Sequence, residues 1–188
     1  MRTRIDTPVG PLTLLGDDDG ALTAVLFAGE RCDPDQADDP SALAGARAAF
    51  ERYFAGDPAA FDGLALRYDG TPLQRALWST LIELPFGSTT TYGTLARELA
   101  PALGGIAPHP RAVGSANART PIPIVMACHR VVSSSGALRG YRGGLEVKRA
   151  LLQFEREALR RWPRPGPAPE PRRPPRLPTP RTPRRTER

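Results

Sequence analysis

The sequence contains little cysteine and no long apolar run. Its 188 residues include only two cysteines, Cys32 and Cys128, which are too few for a disulfide framework and fit a reducing compartment. No stretch reaches the roughly 18 consecutive apolar residues of a transmembrane helix, and residues 1–5 lack the apolar segment of a signal peptide. The N-terminal aspartates lack the spacing of a calcium-binding loop. These absences predict a cytoplasmic protein with no metal site and no membrane partner.

Charge is unevenly distributed along the chain, although the net charge is +6. Residues 1–70 carry 6 arginines against 13 acidic residues, a net −7, whereas residues 71–162 carry 12 basic against 5 acidic residues, a net +7. An acidic part beside a basic part indicates that only the basic part faces a polyanion, unless the asymmetry merely reflects a solvated surface.

Composition divides the chain into three parts. We predict one domain in residues 1–70 and a second in residues 71–162. Residues 163–188 contain 10 prolines and 8 arginines, with Leu177 as the only large aliphatic residue. Such a segment buries too little surface to fold, so it is predicted to be disordered with polyproline II character. It is either a solvated extension or an arm that adds salt-sensitive affinity for phosphates.

The pattern of residues 1–70 predicts a small antiparallel α+β unit. Leu12–Leu15 and Ala21–Phe27 are predicted strands, and the turn Asp17–Gly20 between them indicates a hairpin. Apolar residues at helical spacing predict a helix over residues 41–54. Residues 64–68 are predicted to form a third strand.

Residues 71–162 are predicted to be mostly helical. The first helix has Thr71 as its N-cap and Pro72 at its first position. The second and third helices are short and are separated by a glycine-containing connector, which is typical of a helix-turn-helix. The predicted helices are Thr71–Leu84, Thr91–Ala100, Arg111–Ala118 and Lys148–Arg160.

The most informative feature of the sequence is Cys128 followed directly by His129. An apolar stretch precedes the pair, and Val131 and Val132 follow it before the loop of residues 133–136. A thiolate rather than a thiol is the nucleophile, and an adjacent base or imidazolium can generate it near neutral pH. A buried cysteine is more often an inert core residue, so the pair alone leaves catalysis open.

Five blocks of sequence around this pair carry a resemblance to a known family. Their order and spacing match the O6-alkylguanine-DNA alkyltransferases, also called methylated-DNA–protein-cysteine methyltransferases, and the N-terminal Thr7–Leu12 looks like the start of the bacterial members. The blocks are Thr71–Trp78, Thr91–Ala96, Arg111–Asn117, Ile124–Val132 and Gly140–Arg149.

The resemblance implies both a fold and an activity. The fold is α+β, with a small N-terminal antiparallel α/β domain of ribonuclease H-like type. A mostly helical domain with a winged-helix-like helix-turn-helix follows it. The activity is DNA repair by direct reversal: an alkyl group moves irreversibly from O6-alkylguanine, or O4-alkylthymine, in double-stranded DNA to Cys128, once per molecule. No cofactor is implied, and the protein is expected to be a monomer.

The resemblance assigns roles to four catalytic residues. Cys128 is the nucleophile, His129 acts as a base through a water, and Glu155 orients the imidazole. This is the nucleophile–base–orienter logic of catalytic triads. Tyr92 corresponds to the phenol that protonates or hydrogen-bonds the departing guanine.

The resemblance also assigns a DNA-binding helix and a pocket for the target base. The second helix of the helix-turn-helix enters the minor groove, and Arg111 fills the gap left when the nucleotide is flipped out. Small residues on this helix allow it to approach the groove closely. The implied DNA-binding residues are Arg111, Ala112, Gly114, Ser115, Ala116 and Asn117, and the implied base pocket comprises Val131, Tyr141, Arg142 and Gly143.

Two positions depart from the family pattern, and a third differs from some relatives. Ala127 stands where the family usually has proline, and Thr120 stands where an asparagine usually ties the recognition helix to the active-site turn. Threonine offers only a hydroxyl version of that contact. Arg142 stands where some relatives have a small polar residue. These departures concern rate, stability and pocket width rather than the class of reaction.

Three alternative functions stay open from the sequence. A non-catalytic sensor of alkyl lesions would resemble this family but lack Cys128. A Cys-His hydrolase would need an oxyanion site and would leave the helix-turn-helix without a role. A transcription factor is disfavoured because the small-residue helix offers few side chains for reading the major groove.

Overall fold

The computed structural model describes residues 1–32, 39 and 41–161. A three-stranded antiparallel sheet and one helix come first, and a mostly helical region follows. This architecture confirms the predicted α+β fold class. The described residues include no helix that is long and apolar enough to span a membrane. The prediction for residues 163–188 lies outside the described residues.

The N-terminal sheet has strands β1 (Arg2–Ile5), β2 (Leu12–Gly16) and β3 (Leu22–Phe27), in that order. Antiparallel pairing of β2 with β3 confirms the predicted hairpin. Asp17 closes the turn, because its Oδ1 accepts hydrogen bonds from two backbone N–H groups downstream. Strand β1 was not predicted, and it pairs along its length with β2.

The predicted third strand at residues 64–68 is wrong. Leu66 forms only an isolated parallel bridge with Leu22, with one backbone hydrogen bond on each side of it. The apolar residues at alternate positions, Leu64, Leu66 and Tyr68, pack partly buried against the core. Their alternation therefore serves side-chain packing and does not require a β ladder.

Helix α1 (Ala44–Phe54) begins three residues later than the predicted start at Ser41, after Leu43 in a left-handed conformation (φ 56°). Its residue Tyr53 is buried and contacts rings from distant parts of the chain. Ring centroids lie 5.7 Å from Phe86 and 5.5 Å from Phe154. The end of α1 therefore packs directly onto the C-terminal half of the molecule.

The helical region is close to its prediction, with each boundary within a few residues. The predicted N-cap Thr71 forms a capping box with Gln74, which satisfies two backbone donors at once. Of the four helices in this region, the third packs against both the first and the second. The helices are α2 (Pro72–Ile82), α3 (Tyr92–Glu98), α4 (Pro110–Ala118) and α5 (Leu145–Arg161).

A short parallel pair joins two distant segments of the helical region. Strand β4 (Thr90–Thr91) pairs with β5 (Val131–Val132), and sequence patterns gave no sign of either strand. Because α3 begins directly after β4 and the Cys128 turn ends directly before β5, this pairing places Tyr92 beside the Cys128 segment. One apolar core connects the N-terminal sheet with the helical region.

Candidate active site

Cys128 begins a single 3-10 turn, Cys128–Arg130, at the end of a buried segment. Ala127, which precedes it, has φ −69°, an angle that proline would also adopt. Its N–H donates to the carbonyl of Leu81 in α2 at 3.2 Å, a bond that proline could not form. Because alanine stands here in place of proline, this hydrogen bond can form, and it anchors the turn to α2.

The same segment contains a strained residue. Ile124 has φ 77° and is 1% exposed. A β-branched residue in this region is an outlier that costs on the order of 1–3 kcal/mol. The surrounding core must therefore hold the backbone in place four positions before the turn begins.

The thiol of Cys128 is protonated at neutral pH. Burial raises the pKa of Cys128 to about 11, although a hydrogen bond with the Thr120 hydroxyl and the positive charges of Lys148 and Arg142 act to lower it. A thiol of this kind reacts as a nucleophile only if a base removes its proton during the attack.

His129 provides such a base. Its Nε2 lies 2.8 Å from Oε1 of Glu155, with both side chains fully buried. Burial lowers the pKa of His129 and outweighs the opposing influence of Glu155, so the imidazole is neutral at pH 7. We assign the proton to Nε2, which donates to the carboxylate. Nδ1 is buried with no protein partner among the described residues and keeps a lone pair available for a proton.

Glu155 is the centre of a buried hydrogen-bond network. Arg130 donates to it from Nε at 2.9 Å and from Nη2 at 2.7 Å. The hydroxyl of Tyr53 donates at 2.8 Å and the backbone N–H of Gly87 at 3.0 Å. Burial raises the pKa of Glu155, but the hydrogen bond from His129 and the guanidinium of Arg130 outweigh it and lower the pKa to about 2. The carboxylate is therefore ionised.

Glycine suits position 87, where the backbone N–H donates to Glu155. A Cβ at this position would lie 2.3 Å from Cδ1 of Leu159, and the residue has φ 72°, which favours glycine. The segment between α2 and β4 thus contributes a donor to the network.

Sequence reasoning missed three members of this site. Arg130 was not linked to Glu155, and Tyr53 and Lys148 were given no role. Lys148 is fully buried, and its Nζ donates to the carbonyls of Val131 at 2.7 Å and Arg139 at 2.9 Å. A signal for Lys148 existed, because it shares a helical face with the buried Leu151, Leu152 and Glu155.

Tyr92 lies half-buried at the start of α3, between the thiol and α4. Burial raises the pKa of Tyr92, and the nearby Cys128 adds to the rise. A Cβ at Gly114 would lie 3.8 Å from the Tyr92 ring, so the phenol packs under the middle of α4. The structure therefore brings the four predicted catalytic residues into one region.

Four of the six predicted DNA-binding residues lie on the accessible side of α4. Arg111 and Ser115 are exposed, and Ala112 and Gly114 are half-buried. The remaining two, Ala116 and Asn117, are 4% and 5% exposed because they face the interior. There the Ala116 carbonyl accepts from Trp78, and the Asn117 carbonyl accepts from Thr120. Their prediction as surface contacts is corrected to structural support for the helix.

The predicted base-pocket residues lie near Cys128 but make unexpected contacts. Val131 is buried. The Tyr141 hydroxyl is buried without a partner among the described residues, and burial raises its pKa well above the usual value, with a further rise from Cys128. Arg142 forms an ion pair with Glu30 at 3.0 Å. Gly143 lies close to the ring of Phe27, since a Cβ at position 143 would be 2.8 Å from that ring.

Comparison with known families gives two matches that together span most of the chain. Residues 1–68 match the ribonuclease-like domain of 6-O-methylguanine DNA methyltransferase. Residues 72–157 match the DNA binding domain of 6-O-methylguanine DNA methyltransferase.

Relatives from a bacterium and an archaeon share one name with each other. A methylated-DNA–protein-cysteine methyltransferase of Mycobacterium tuberculosis is 40% identical over 155 residues, which cover 81% of this chain and 90% of that protein. One from Methanosarcina acetivorans is 37% identical over 153 residues, covering 80% and 94%.

Solved structures agree with these relatives. The crystal structure of Mycobacterium tuberculosis OGT in complex with DNA is similar with a TM-score of 0.73 and 39% identity, covering 84% of this chain and 93% of that chain. These matches do not favour the lesion-sensor, hydrolase or transcription-factor alternatives. The chain belongs to the 6-O-methylguanine DNA methyltransferase family.

Proposed function

We propose that this protein repairs DNA by transferring the alkyl group of O6-alkylguanine to its own Cys128, and that it acts as a monomer on double-stranded DNA. One observation carries the proposal. A buried, neutral His129, oriented by the ionised Glu155, keeps an unpaired Nδ1 next in sequence to a buried thiol. This arrangement suits a thiol that must lose its proton at the moment of attack.

The alkyl carbon exchanges its bond to guanine O6 for a bond to the Cys128 sulfur. As the Cys128 sulfur attacks the alkyl carbon, its proton passes through a bridging water to Nδ1 of His129. The bond from the alkyl carbon to guanine O6 breaks, and the electron pair stays with guanine. Glu155 stabilises the imidazolium that forms, while Tyr92 gives a hydrogen bond or proton to the departing base. Solvent restores both protonation states, so a thioether and an unmodified guanine remain.

The accessible side of α4 supports a role in DNA binding. Ala112 and Gly114 are small, so the helix can approach a groove closely. The exposed Arg111 stands at its N-terminal end, where we place it in the gap left by a flipped nucleotide. Tyr92, packed beneath Gly114, would meet the base as it enters. We keep the division into a domain of residues 1–70 and a DNA-binding domain of residues 71–162.

Mass spectrometry after incubation with O6-methylguanine DNA tests the proposal directly. We expect a gain of one methyl group on the peptide that contains Cys128. The two cysteines provide a matched pair of variants, since Cys32 is half-buried beside Arg2. Cys128→Ser should abolish transfer and retain DNA binding, and Cys32→Ser should behave as the wild type. Methyl transfer in Cys128→Ser would show that the nucleophile is wrongly assigned.

Turnover number separates this function from a hydrolase. A thioether is stable, so each molecule should accept one methyl group and then stop. Repeated turnover on methylated DNA, or rapid hydrolysis of a simple ester that Cys128→Ser loses, would contradict a single-use acceptor.

A further inference from the structure

Arg142 is held by the N-terminal sheet, although it lies in the loop that carries the predicted base pocket. Its Nη2 donates to the carbonyl of Val25 within β3, and its Nε forms the ion pair with Oε1 of Glu30. The second oxygen of Glu30 accepts from the backbone N–H of Phe27 at 2.7 Å. Glu30 is thus fixed to the end of β3 and presents a defined acceptor to the guanidinium.

The residues on both sides of Arg142 contact the same strand end. The ring of Tyr141 packs edge-on against Phe27, with centroids 5.5 Å apart. Gly143 lies so close to the Phe27 ring that any side chain would collide with it. Three consecutive loop residues therefore rest on β3 and the turn after it, with Arg142 providing the polar attachment.

This attachment reaches the reactive centre. The Tyr141 ring lies edge-on to His129, with centroids 6.5 Å apart, and its buried hydroxyl is unpaired among the described residues. The guanidinium of Arg142 acts electrostatically on Cys128. A shift of the loop would therefore move one wall of the site and one of its cations together.

We propose that Glu30 and Arg142 form a latch through which the N-terminal sheet holds the base-pocket loop, residues 140–144, against the Cys128 site. Both are positioning residues: Arg142 fixes Tyr141 and Gly143, and Glu30 acts through Arg142. The inference deepens the proposed function and rests on it, because the position of this loop affects alkyl transfer only if the protein carries out that reaction. The latch itself is a physical claim that can be measured without any substrate.

Three single variants and the double variant Glu30→Gln/Arg142→Gln test the latch. Glu30→Gln removes the negative charge of the ion pair. Arg142→Gln removes the positive charge together with the planar set of guanidinium N–H donors. Arg142→Lys keeps the charge but not the fork. Glu51→Gln is the matched control, because it breaks the exposed Arg47–Glu51 pair of α1. The measurements are the rate of methyl transfer from O6-methylguanine DNA at limiting and saturating DNA, and amide hydrogen exchange of residues 140–144.

We expect Arg142→Gln to transfer methyl groups about tenfold more slowly than the wild type at saturating DNA. Glu30→Gln should transfer them about threefold more slowly, as expected for the loss of a partly exposed ion pair. DNA affinity should be unchanged. The double variant should match Arg142→Gln, because Glu30 acts through that residue. Arg142→Lys should recover part of the rate. Exchange at residues 140–144 should be faster in all three Glu30 and Arg142 single variants and unchanged in Glu51→Gln.

Two results would overturn the latch: unchanged exchange at residues 140–144, or additive losses of rate in the double variant. The failure of the proposed function looks different. If the wild type itself transfers no methyl group, that function is wrong, and hydrogen exchange alone still decides whether the latch exists.

Discussion

Nε2 of His129 and Oε1 of Glu155 are 2.8 Å apart, at a site where neither side chain is exposed to solvent. The carboxylate fixes the tautomer of the ring, so the lone pair of Nδ1 is the one left for catalysis. The same carboxylate is already neutralised by Arg130. Burial can therefore keep His129 neutral even though an anion lies beside it.

Removing the carboxylate should affect stability and rate together. Glu155→Gln leaves the buried Arg130 without its counterion, which typically costs about 3–5 kcal/mol of unfolding free energy. Methyl transfer should slow by roughly 100-fold, because the imidazolium that forms during the reaction loses the negative charge that stabilises it. Urea unfolding and single-turnover assays check both effects. The control is Glu157→Gln on the same helix, whose carboxylate accepts a hydrogen bond from the exposed side chain of Gln153, and little change is expected.

The rate of methyl transfer should be flat across neutral pH. The reactive form has a neutral His129 and a protonated Cys128. Burial lowers the pKa of His129 below its usual 6.5 and raises that of Cys128 to about 11. Protonation of His129 removes the base, so the rate should fall only below about pH 6.5. Single-turnover rates at saturating DNA from pH 5.5 to 9.5 test this. A tenfold rise per pH unit between 7 and 9 would instead indicate attack by a free thiolate.

The hydroxyl of Tyr53 should contribute to the site although it belongs to the N-terminal half. It donates to a buried, charged acceptor, Glu155, at 2.8 Å, and such bonds are worth about 1.5–3 kcal/mol. Tyr53→Phe keeps the ring packing and should lower the unfolding free energy by about that amount, with slower transfer. Tyr68→Phe is the control, since its half-buried ring packs on Trp78. Equal stability of the two variants would contradict the role of this bond.

Local signals in the sequence predicted local structure well. The N-cap Thr71, the β2–β3 hairpin and the adjacent Cys128 and His129 are visible because their partners are neighbours in sequence. The pairing of β4 with β5 involves two-residue strands about 40 positions apart, and no periodicity marks strands so short. The alternation at residues 64–68 suggested a strand because packing on a core produces the same pattern as a ladder.

The residues of the site also differ in how far the sequence reveals them. Glu155 follows Cys128 by 27 positions in the sequence, so only the family resemblance identified it, and Tyr53 lies 102 positions before Glu155 with no local sign of its role. Lys148 was predictable in principle, since a charge on the apolar face of α5 must find buried partners. Ala116 and Asn117 were misplaced because a short helix of small residues does not reveal which side faces the core.

Thr120 should tune the nucleophile through its hydroxyl. Thr120 is 2% exposed, and its hydroxyl donates to the Asn117 carbonyl at 2.8 Å. The same hydroxyl lowers the pKa of Cys128 when it turns its one proton toward the sulfur instead. Thr120→Val has the same shape without the hydroxyl, so the thiol should become harder to deprotonate and transfer should slow by about three- to tenfold. The lost hydrogen bond should also cost about 1 kcal/mol of stability.

Thr120→Ser separates the hydroxyl from the rest of the side chain. Serine keeps the donor and acceptor and removes one methyl group, so it should lose some stability through packing while transferring methyl groups at close to the wild-type rate. Single-turnover rates and the pH profile of Cys128 alkylation by iodoacetamide distinguish the two variants. If Thr120→Ser and Thr120→Val slow transfer equally, the hydroxyl has no part in activating Cys128, and the residue that replaces the family's asparagine acts only by filling space.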